Sequence, residues 1–593
     1  DLFGFGLEDL DFGLAWFASR SPGIPTMLAG KASADTFSFI GGGDIFDIEG
    51  SGIELNLNSG ESFKGLARPT IDFASSFPDE DTIIDNGRLD PGEDLNENGS
   101  LDTAGFQVAT GGDPVDFTYD GQQRIGINLE NAKIALFDFL HLEGSFAFES
   151  GPKETVDVST GLSSDLPGVP TTLSDISVKT MTIGGSNINA FLGLNGPYKI
   201  DSDQDGDIDN DDTPNEDALG LSLSNLDFGM IIMEPALPIS IPGISPASPT
   251  LFASKFTADA FEFVGVDDVK LGAESITVEV NAGPILPGAI TQTAVNFQSS
   301  FPGEDTDDDG RLDEGEDTDG DGELDPTGFS VQTGGDSVLI DYGGDFRIAA
   351  EVEQATLQFY DFLFLQGSFA FELGPTHEMD IATGFPSDIG EIADSLGVGD
   401  IITDLSTNTD LTVSSDLSTI SDMEIVSMTV GASNVQAFLG LDGPYRTDTN
   451  GDGIIDTNDD INEEAAGLVV DNLNLAMGFF QPTLKGVIPF LPDFWAAKAT
   501  ATTVGLVGLG DAFTLQANEI ELQLNGGTEW GGVVGPPVID FASSFAAEDI
   551  NNNNSLDDGE DSDGDGKLDP VGLEVATGGT PVYLDFDGNF RVG

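Results

Sequence analysis

The stretch that decides the fold is written three times: IELNLN at 53–58, ITVEVN at 276–281 and IELQLN at 520–525. In each, Ile, Leu or Val alternates with Glu, Asn, Gln or Thr. Successive side chains on a strand point to opposite faces, so a period of two predicts a strand with one buried and one solvated face. Its recurrence makes the strand one part of a larger repeat, which has to be read before the fold.

Other segments recur in the same phase. FASSF (73–77) returns as FQSSF (297–301) and FASSF (541–545). LEGSFAFE (142–149) returns as LQGSFAFE (365–372), and NAFLGLNGPY (189–198) as QAFLGLDGPY (436–445). DLDFG (9–13), NLDFG (225–229) and NLNLA (472–476) form a third series. Copies are spaced by roughly 216 to 247 residues, long for a repeat array. The chain divides into repeat 1 (1–216), repeat 2 (217–463) and a partial repeat 3 (464–593), with a Ser/Thr/Asp-rich insertion near 386–422. It stops at FRVG (590–593), where repeat 2 continues as FRIAAEVE, and the expectation is a window on a longer array.

YDGQQR (119–124), YGGDF (342–346) and FDGNF (586–590) lie between alternating runs and read as hairpin turns. Small residues interrupt the alternation at one phase, as in LSLSNLDFGM (221–230), VKLGAESITVEV (269–280), LFLQGSFAFEL (363–373) and MTVGASNVQAFL (428–439), and predict bulges or bends. Proline clusters near 22–25, 235–249 and 482–492 read as extended connectors. No helix longer than about two turns is expected. The fold expected is all-β: an elongated β-solenoid-like repeat rod with inserted calcium loops, the alternative being a string of antiparallel β-sandwich domains.

The composition narrows the partners. Asp and Glu number 106 against 19 Lys and Arg, a formal net charge of -87 that repels nucleic acid and anionic membranes. Phe 42 and 39% hydrophobic residues supply a core. With no Cys there is neither a disulfide nor a thiolate site. No apolar run is long enough for a membrane-spanning helix, so no membrane insertion is expected.

The charge is concentrated in ordered loops. In DTDDDGRLDEGEDTDGDGELD (305–325), counting from Asp305 puts Asp307 at position 3, Asp309 at 5, Gly310 at 6, Leu312 at 8, Asp313 at 9 and Glu316 at 12. Calcium loops of the EF-hand type place oxygen ligands at 1, 3, 5, 7, 9 and 12 and a glycine at 6; position 7 offers only its backbone carbonyl. The pattern restarts at Asp317, Asp319, Asp321 and Asp325. Repeat 3 has Asp549, Asn551, Asn553, Asp557 and Glu560, then Asp561, Asp563, Asp565 and Asp569. Repeat 1 keeps Asp94, Asn96, Asn98 and Asp102. A further loop follows each GPY: Asp201, Asp203, Asp205, Asp207, Asp209 and Asp212 in repeat 1, and Asp448, Asn450, Asp452, Asp456 and Asp459 in repeat 2. Solvated linkers or a salt-adapted surface also carry acidic runs, but they do not need this grammar of alternate Asp, Gly and aliphatic residue.

These loops resemble those of dockerins and thrombospondin type 3 repeats. The resemblance covers only the loops and implies Ca2+ ligation; the strand repeats look broadly like those of large bacterial adhesins and surface fibres. His141 and His377 stand without a partner pattern, and no nucleophile elbow, phosphate loop or zinc helix occurs. Phe146, Phe148, Phe369 and Phe371 read as core. The function expected is a non-enzymatic, extracellular or cell-surface bacterial structural protein: a fibre, surface layer or adhesin stalk whose partners are copies of itself or adjacent repeats. The alternatives are a calcium-dependent module binding cell-surface polysaccharide or protein, and the non-catalytic repeat region of a larger enzyme.

Overall fold

The three copies of the alternating stretch fall inside the strands Phe46–Gly60, Val269–Ala282 and Leu515–Gly527 of a computed structural model. The structure describes residues 4–20, 25–40, 46–60, 68–80, 88, 101, 104–137, 139–202, 212–235, 250–266, 268–305, 311, 312, 316, 324–385, 409, 411–489, 491–509, 515–529, 535–551, 553, 555, 556 and 567–592. Among these the fold is almost wholly β, with three one-turn α-helices, and no helix is long and apolar enough to cross a membrane. Most of the insertion at 386–422 and of the proline segment 235–249 lies outside the described residues.

The chain forms two compact units. The first comprises Asp1–Val156, Ile176–Pro238 and Gly328–Ile340. Its strands are β1 (Gly4–Glu8), β2 (Asp11–Phe17), β3 (Met27–Ile40), β4 (Phe46–Gly60), β5 (Phe106–Val108), β6 (Val115–Phe117), β7 (Arg124–Leu136), β8 (Leu140–Ser159), β9 (Thr172–Leu194), β10 (Lys199–Ile200), β11 (Thr213–Pro214) and β12 (Leu219–Pro235), with α1 (Phe73–Ser76). β1 and β2 both pair with β3, and the ladder runs on through β4 and β7 to β8; β9 pairs with β12.

The second unit comprises Asp157–Asp175, Ile239–Thr327 and Asp341–Gly593, so the last three residues of β8 and the first four of β9 belong to it. It contains β13 (Leu251–Val264), β14 (Val269–Ala282), β15 (Ala294–Asn296) and α2 (Phe297–Ser300). β16 (Phe329–Val331) and β17 (Val338–Ile340) follow in sequence but belong to the first unit. Then come β18 (Arg347–Phe359), β19 (Leu363–Ala382), β20 (Thr412–Val413), β21 (Thr419–Leu441), β22 (Arg446–Thr447), β23 (Asp460–Ile461), β24 (Ala466–Pro482), β25 (Phe494–Val507), β26 (Leu515–Gly527), β27 (Val538–Ile539), α3 (Phe541–Ser544), β28 (Leu573–Val575), β29 (Val582–Leu584) and β30 (Arg591–Val592). The ladder β13–β14–β18–β19–β21–β24–β25–β26 is one open meander. Every pairing among the described residues is antiparallel, the sense that hairpins favour. The all-β reading holds; these ladders do not by themselves confirm a solenoid.

The bends fall where small residues break the alternation. β12 shifts register on β9 between Leu223 and Phe228, with Asn225 at φ 49°, and β21 shifts on β24 between Ala432 and Ala437, with Asn434 at φ 50°. Asn tolerates the left-handed region that a bulge demands. The expected hairpin turns are a correction. YDGQQR lies between β6 and β7, yet β6 pairs with β5 while β7 pairs with β4 and β8. Its Tyr119 carbonyl instead accepts the Phe73 amide at 2.8 Å, and Tyr342 does the same for Phe297. These turns seat the Phe-x-Ser-Ser-Phe helices, each capped by Asp72, Asn296 or Asp540.

The short strand pairs β5–β6, β16–β17 and β28–β29 form hairpins that turn at TGGD (110–113), TGGD (333–336) and TGGT (577–580). Each lies over a small residue of the NLDFG series. A Cβ on Gly13 would touch Val115 and Phe117 at 3.1–3.2 Å, and one on Gly229 would touch Val331 and Val338 at 3.0 Å. In the second unit Val575 and Leu584 pack with Ala476 in a core that includes Met379, Ile425 and Phe480. Phe146 and Phe148 face Leu129 and Ile127 across the β7–β8 ladder, half-buried. Phe369 and Phe371 hold the equivalent places beside Val352 and Ala350.

Candidate metal centre

The loop 448–459 is described throughout. A two-residue ladder closes it, Arg446 opposite Ile461 and Thr447 opposite Asp460, leaving twelve residues between. Ile455, at position 8, is buried with Phe364, Phe438 and Ala465. Its amide donates to Gln366 Oε1 at 2.6 Å, and Gln366 Nε2 donates to the Gly453 carbonyl at 3.1 Å. Gln366 thus grips the loop by both backbone groups. Gly453, at position 6, has φ +81° and open space around it; the dihedral, not crowding, calls for glycine there.

The oxygen-bearing side chains organise the turn. Asp448 accepts the amides of Gly451 (2.6 Å) and Gly453 (3.0 Å). Asn450 Oδ1 accepts from Asp452, and Asp452 Oδ1 from Ile454, both at 2.9 Å. Asp459, at position 12, is buried and accepts from Thr449 on one oxygen and Asp456 on the other, each at 3.0 Å. Those two amides hold its carboxyl below the usual carboxylate range, with Arg446 adding a smaller push. Arg446 locks the base of the loop. Its Nε and Nη2 donate to Asp471 at 2.7 and 2.8 Å, and Nη1 donates to the Asp459 carbonyl at 2.8 Å.

Four carboxylates in twelve residues repel one another, by about 4 kcal/mol for a pair at 4 Å and an effective dielectric of 20. In the structure they turn toward loop amides, and among the described residues no three His, Asp or Glu side chains group closely enough to share an ion. An ionised carboxylate has about four lone-pair sites, so one accepted amide leaves capacity for a cation. The donor set is all hard oxygen: Asp448, Asn450, Asp452, Asp456, Asp459 and the Ile454 carbonyl at position 7. With the glycine at 6 and the buried anchor at 8, this chemistry fits Ca2+.

The loop of repeat 1 has the same frame. Lys199–Ile200 pairs with Thr213–Pro214, and buried Asp212 accepts the Ser202 amide at 2.6 Å, as Asp459 does for Thr449. Asp201 is described; Asp203, Asp205, Asp207 and Asp209 lie outside the described residues. In the double loops, Asp305, Glu316, Asp325, Asp549, Asn551, Asn553 and Asp569 are described. Asp94, Asn96, Asn98, Asp102, Asp307, Asp309, Asp313, Asp317, Asp319, Asp321, Asp557, Glu560, Asp561, Asp563 and Asp565 lie outside. Asp549 accepts the Asn553 amide at 2.9 Å, bringing positions 1 and 5 together.

Sequence reasoning missed the clasp of the double loops. The Glu304 amide donates to the Asp325 carbonyl at 3.0 Å, and Glu304 Oε2 accepts the Asp325 amide at 3.4 Å. Glu548 and Asp569 repeat this at 3.1 Å both ways. Glu80, Glu304 and Glu548 are all buried, and the signal was there: each stands three residues after the second Phe of its Phe-x-Ser-Ser-Phe turn. Arg446 and Gln366 were also missed, because their partners lie 25 and 89 residues away. His377 lies against the Phe545 ring at 5.7 Å, and burial pushes its pKa down to about 4, which suits packing. His141 stands beside Phe191. No family model matches the chain, and no curated protein is significantly similar to it.

Proposed function

We propose that the chain is a calcium-binding structural repeat protein of the extracellular space or cell surface, acting as a rod-like fibre, surface layer or adhesin stalk. The observation that carries this reading is the loop 448–459: hard oxygens at alternate positions, Gly453 at φ +81° and Ile455 buried beneath. Calcium on such loops neutralises carboxylates that otherwise repel, and stiffens the strands that the loops join. Millimolar extracellular calcium suits weak sites of this class. The same strands recur from repeat to repeat, which suits a scaffold more than a single catalytic cleft.

The test is a thermal melt of the whole chain with and without EGTA, beside a calorimetric calcium titration. The expected result is several ions bound per repeat and a large fall in Tm on chelation. No binding at millimolar calcium, with stability following sodium chloride alone, overturns the reading.

A further inference from the structure

Three Phe-x-Ser-Ser-Phe turns follow a short extended segment, and they differ in what that segment pairs with. In repeat 2, Ala294, Val295 and Asn296 pair antiparallel with Ser159, Val158 and Asp157. Ser300 Oγ accepts the Asp157 amide at 2.8 Å, and Ser299 Oγ donates to the Asp157 carboxylate at 3.0 Å. In repeat 3, Val538 and Ile539 pair with Ala382 and Ile381, and Ser544 Oγ accepts the Asp380 amide at 2.8 Å. The strands supplied are VDVSTG (156–161) and MDIATG (379–384), one pattern of apolar, Asp, apolar, small, Thr, Gly.

The third member is Thr70–Asp72, before Phe73. Its inner side is built like the others. Ile71 donates to Asn58 Oδ1 as Val295 donates to Asn281 Oδ1, and Asp72 caps Ser75 as Asn296 caps Ser299. Ser76 Oγ donates to the Asp72 carbonyl, as Ser300 does to Asn296. The outer side differs. Among the described residues the only pairing in this segment is the single bridge Asp72–Asp120. Phe77 is 42% exposed, whereas Phe301 and Phe545 are half-buried.

A second observation agrees. The Thr-Gly-Gly tips of repeats 2 and 3 are seated: Thr333 and Thr577 each bond a buried serine, Ser186 and Ser433, at 2.9 Å. A Cβ on Gly334 or Gly578 would collide with strand carbonyls. In repeat 1, Thr110 bonds only within its own turn and a Cβ on Gly111 would meet nothing within 4 Å.

We propose that Thr70–Phe77 is a strand-acceptor site for another copy of this repeat. The incoming strand carries the apolar-Asp-apolar-small-Thr-Gly pattern, adds antiparallel to Thr70–Asp72, and gives its Asp amide to Ser76 Oγ. Main-chain hydrogen bonds supply the affinity and the two apolar side chains the register, as in other strand additions. This goes beyond the calcium reading and does not depend on it.

The test uses the full chain with the segment PKETVDVSTG (152–161) fused to its N-terminus through a long Gly-Ser linker, which raises the effective concentration to the millimolar range. A free photo-crosslinking peptide of the same sequence is used in parallel. Amide hydrogen exchange across Thr70–Phe77 is expected to slow by about tenfold or more, with crosslinks on 68–77. A fusion whose added segment carries Asp157→Pro, which removes the amide and breaks the ladder, should lose the protection. Exchange equal in the two fusions, or crosslinks confined to the 294–301 site, overturns the proposal.

Discussion

Within the second compact unit, the loop 448–459 and the hairpin tip 576–580 solve one problem by opposite means. Each pins a chain segment onto strands distant in sequence. The tip does so without ionised groups: Gly578 lies against the carbonyls of Val352 and Phe369, and Thr577 bonds Ser433. The loop does so with carboxylates at positions 1, 5, 9 and 12, held by amides and by Arg446 at its base. The tip should therefore hold at any ionic composition, while the loop's hold depends on what neutralises it. A chain with net charge -87 that keeps part of its cohesion free of charge is expected to keep that part of its sheet folded when the loops are left unneutralised.

The largest expected effect separates the two directly. Each calcium site held at about a hundred times its Kd adds about 2.7 kcal/mol, so chelation across several loops should lower Tm steeply. Hydrogen exchange should then rise first at 448–459 and last at 576–580; equal loss at both would erase the contrast. Next is Arg446→Ala. Asp471 is 1% exposed, and leaving its charge unpaired should cost about 3–5 kcal/mol in a denaturant melt. Third, Gly578→Ala meets strand backbone at φ +75°. Overpacking of about 1–3 kcal/mol, with about 1–2 more for the left-handed backbone, should appear equally with and without calcium.

The smallest effect is on pH. His377 has its pKa lowered by burial to about 4, while the unfolded chain titrates near 6.5. The unfolded state therefore takes up the proton first, and this contribution to stability is complete above pH 6.5 and falls as pH drops toward 4. Asp459, shifted down, keeps its contribution until pH falls below 3.8. Between pH 7 and 5 the wild type should lose stability faster than His377→Gln, read as the difference in midpoint slopes.

The strands were legible from the period of two, and IELNLN falls within β4; which face is covered was not, since Leu55 and Leu522 are exposed while Asn58, Asn281 and Asn525 are buried and donate to backbone carbonyls. The bulges were legible because small residues break the alternation near the register shifts; the left-handed residue itself varies, Asn225 and Asn434 but also Ser275 and Glu519. What pairs with what was not. YDGQQR has the residues of a hairpin turn, yet its Tyr119 carbonyl serves α1. The Gly-Gly of TGGD is hairpin chemistry too, and it is this segment that turns β5–β6 and β16–β17. In the candidate site, alternate Asp, Gly453 and Ile455 followed from the local geometry of a twelve-residue loop. Gln366 and Arg446 could not, since nothing near them in sequence shows which loop they hold.

The membership of Gly328–Ile340 in the first compact unit sets a timetable for synthesis. The unit's preceding segment ends at Pro238, roughly 90 residues before its hairpin is made. At about 5–20 residues per second, the nascent sheet waits roughly 5–20 s with Gly229 and its neighbours uncovered. Through that interval an apolar patch that the finished protein buries is open to the ribosome's surroundings, and a chaperone, or the hairpin of a neighbouring nascent chain, has that long to reach it.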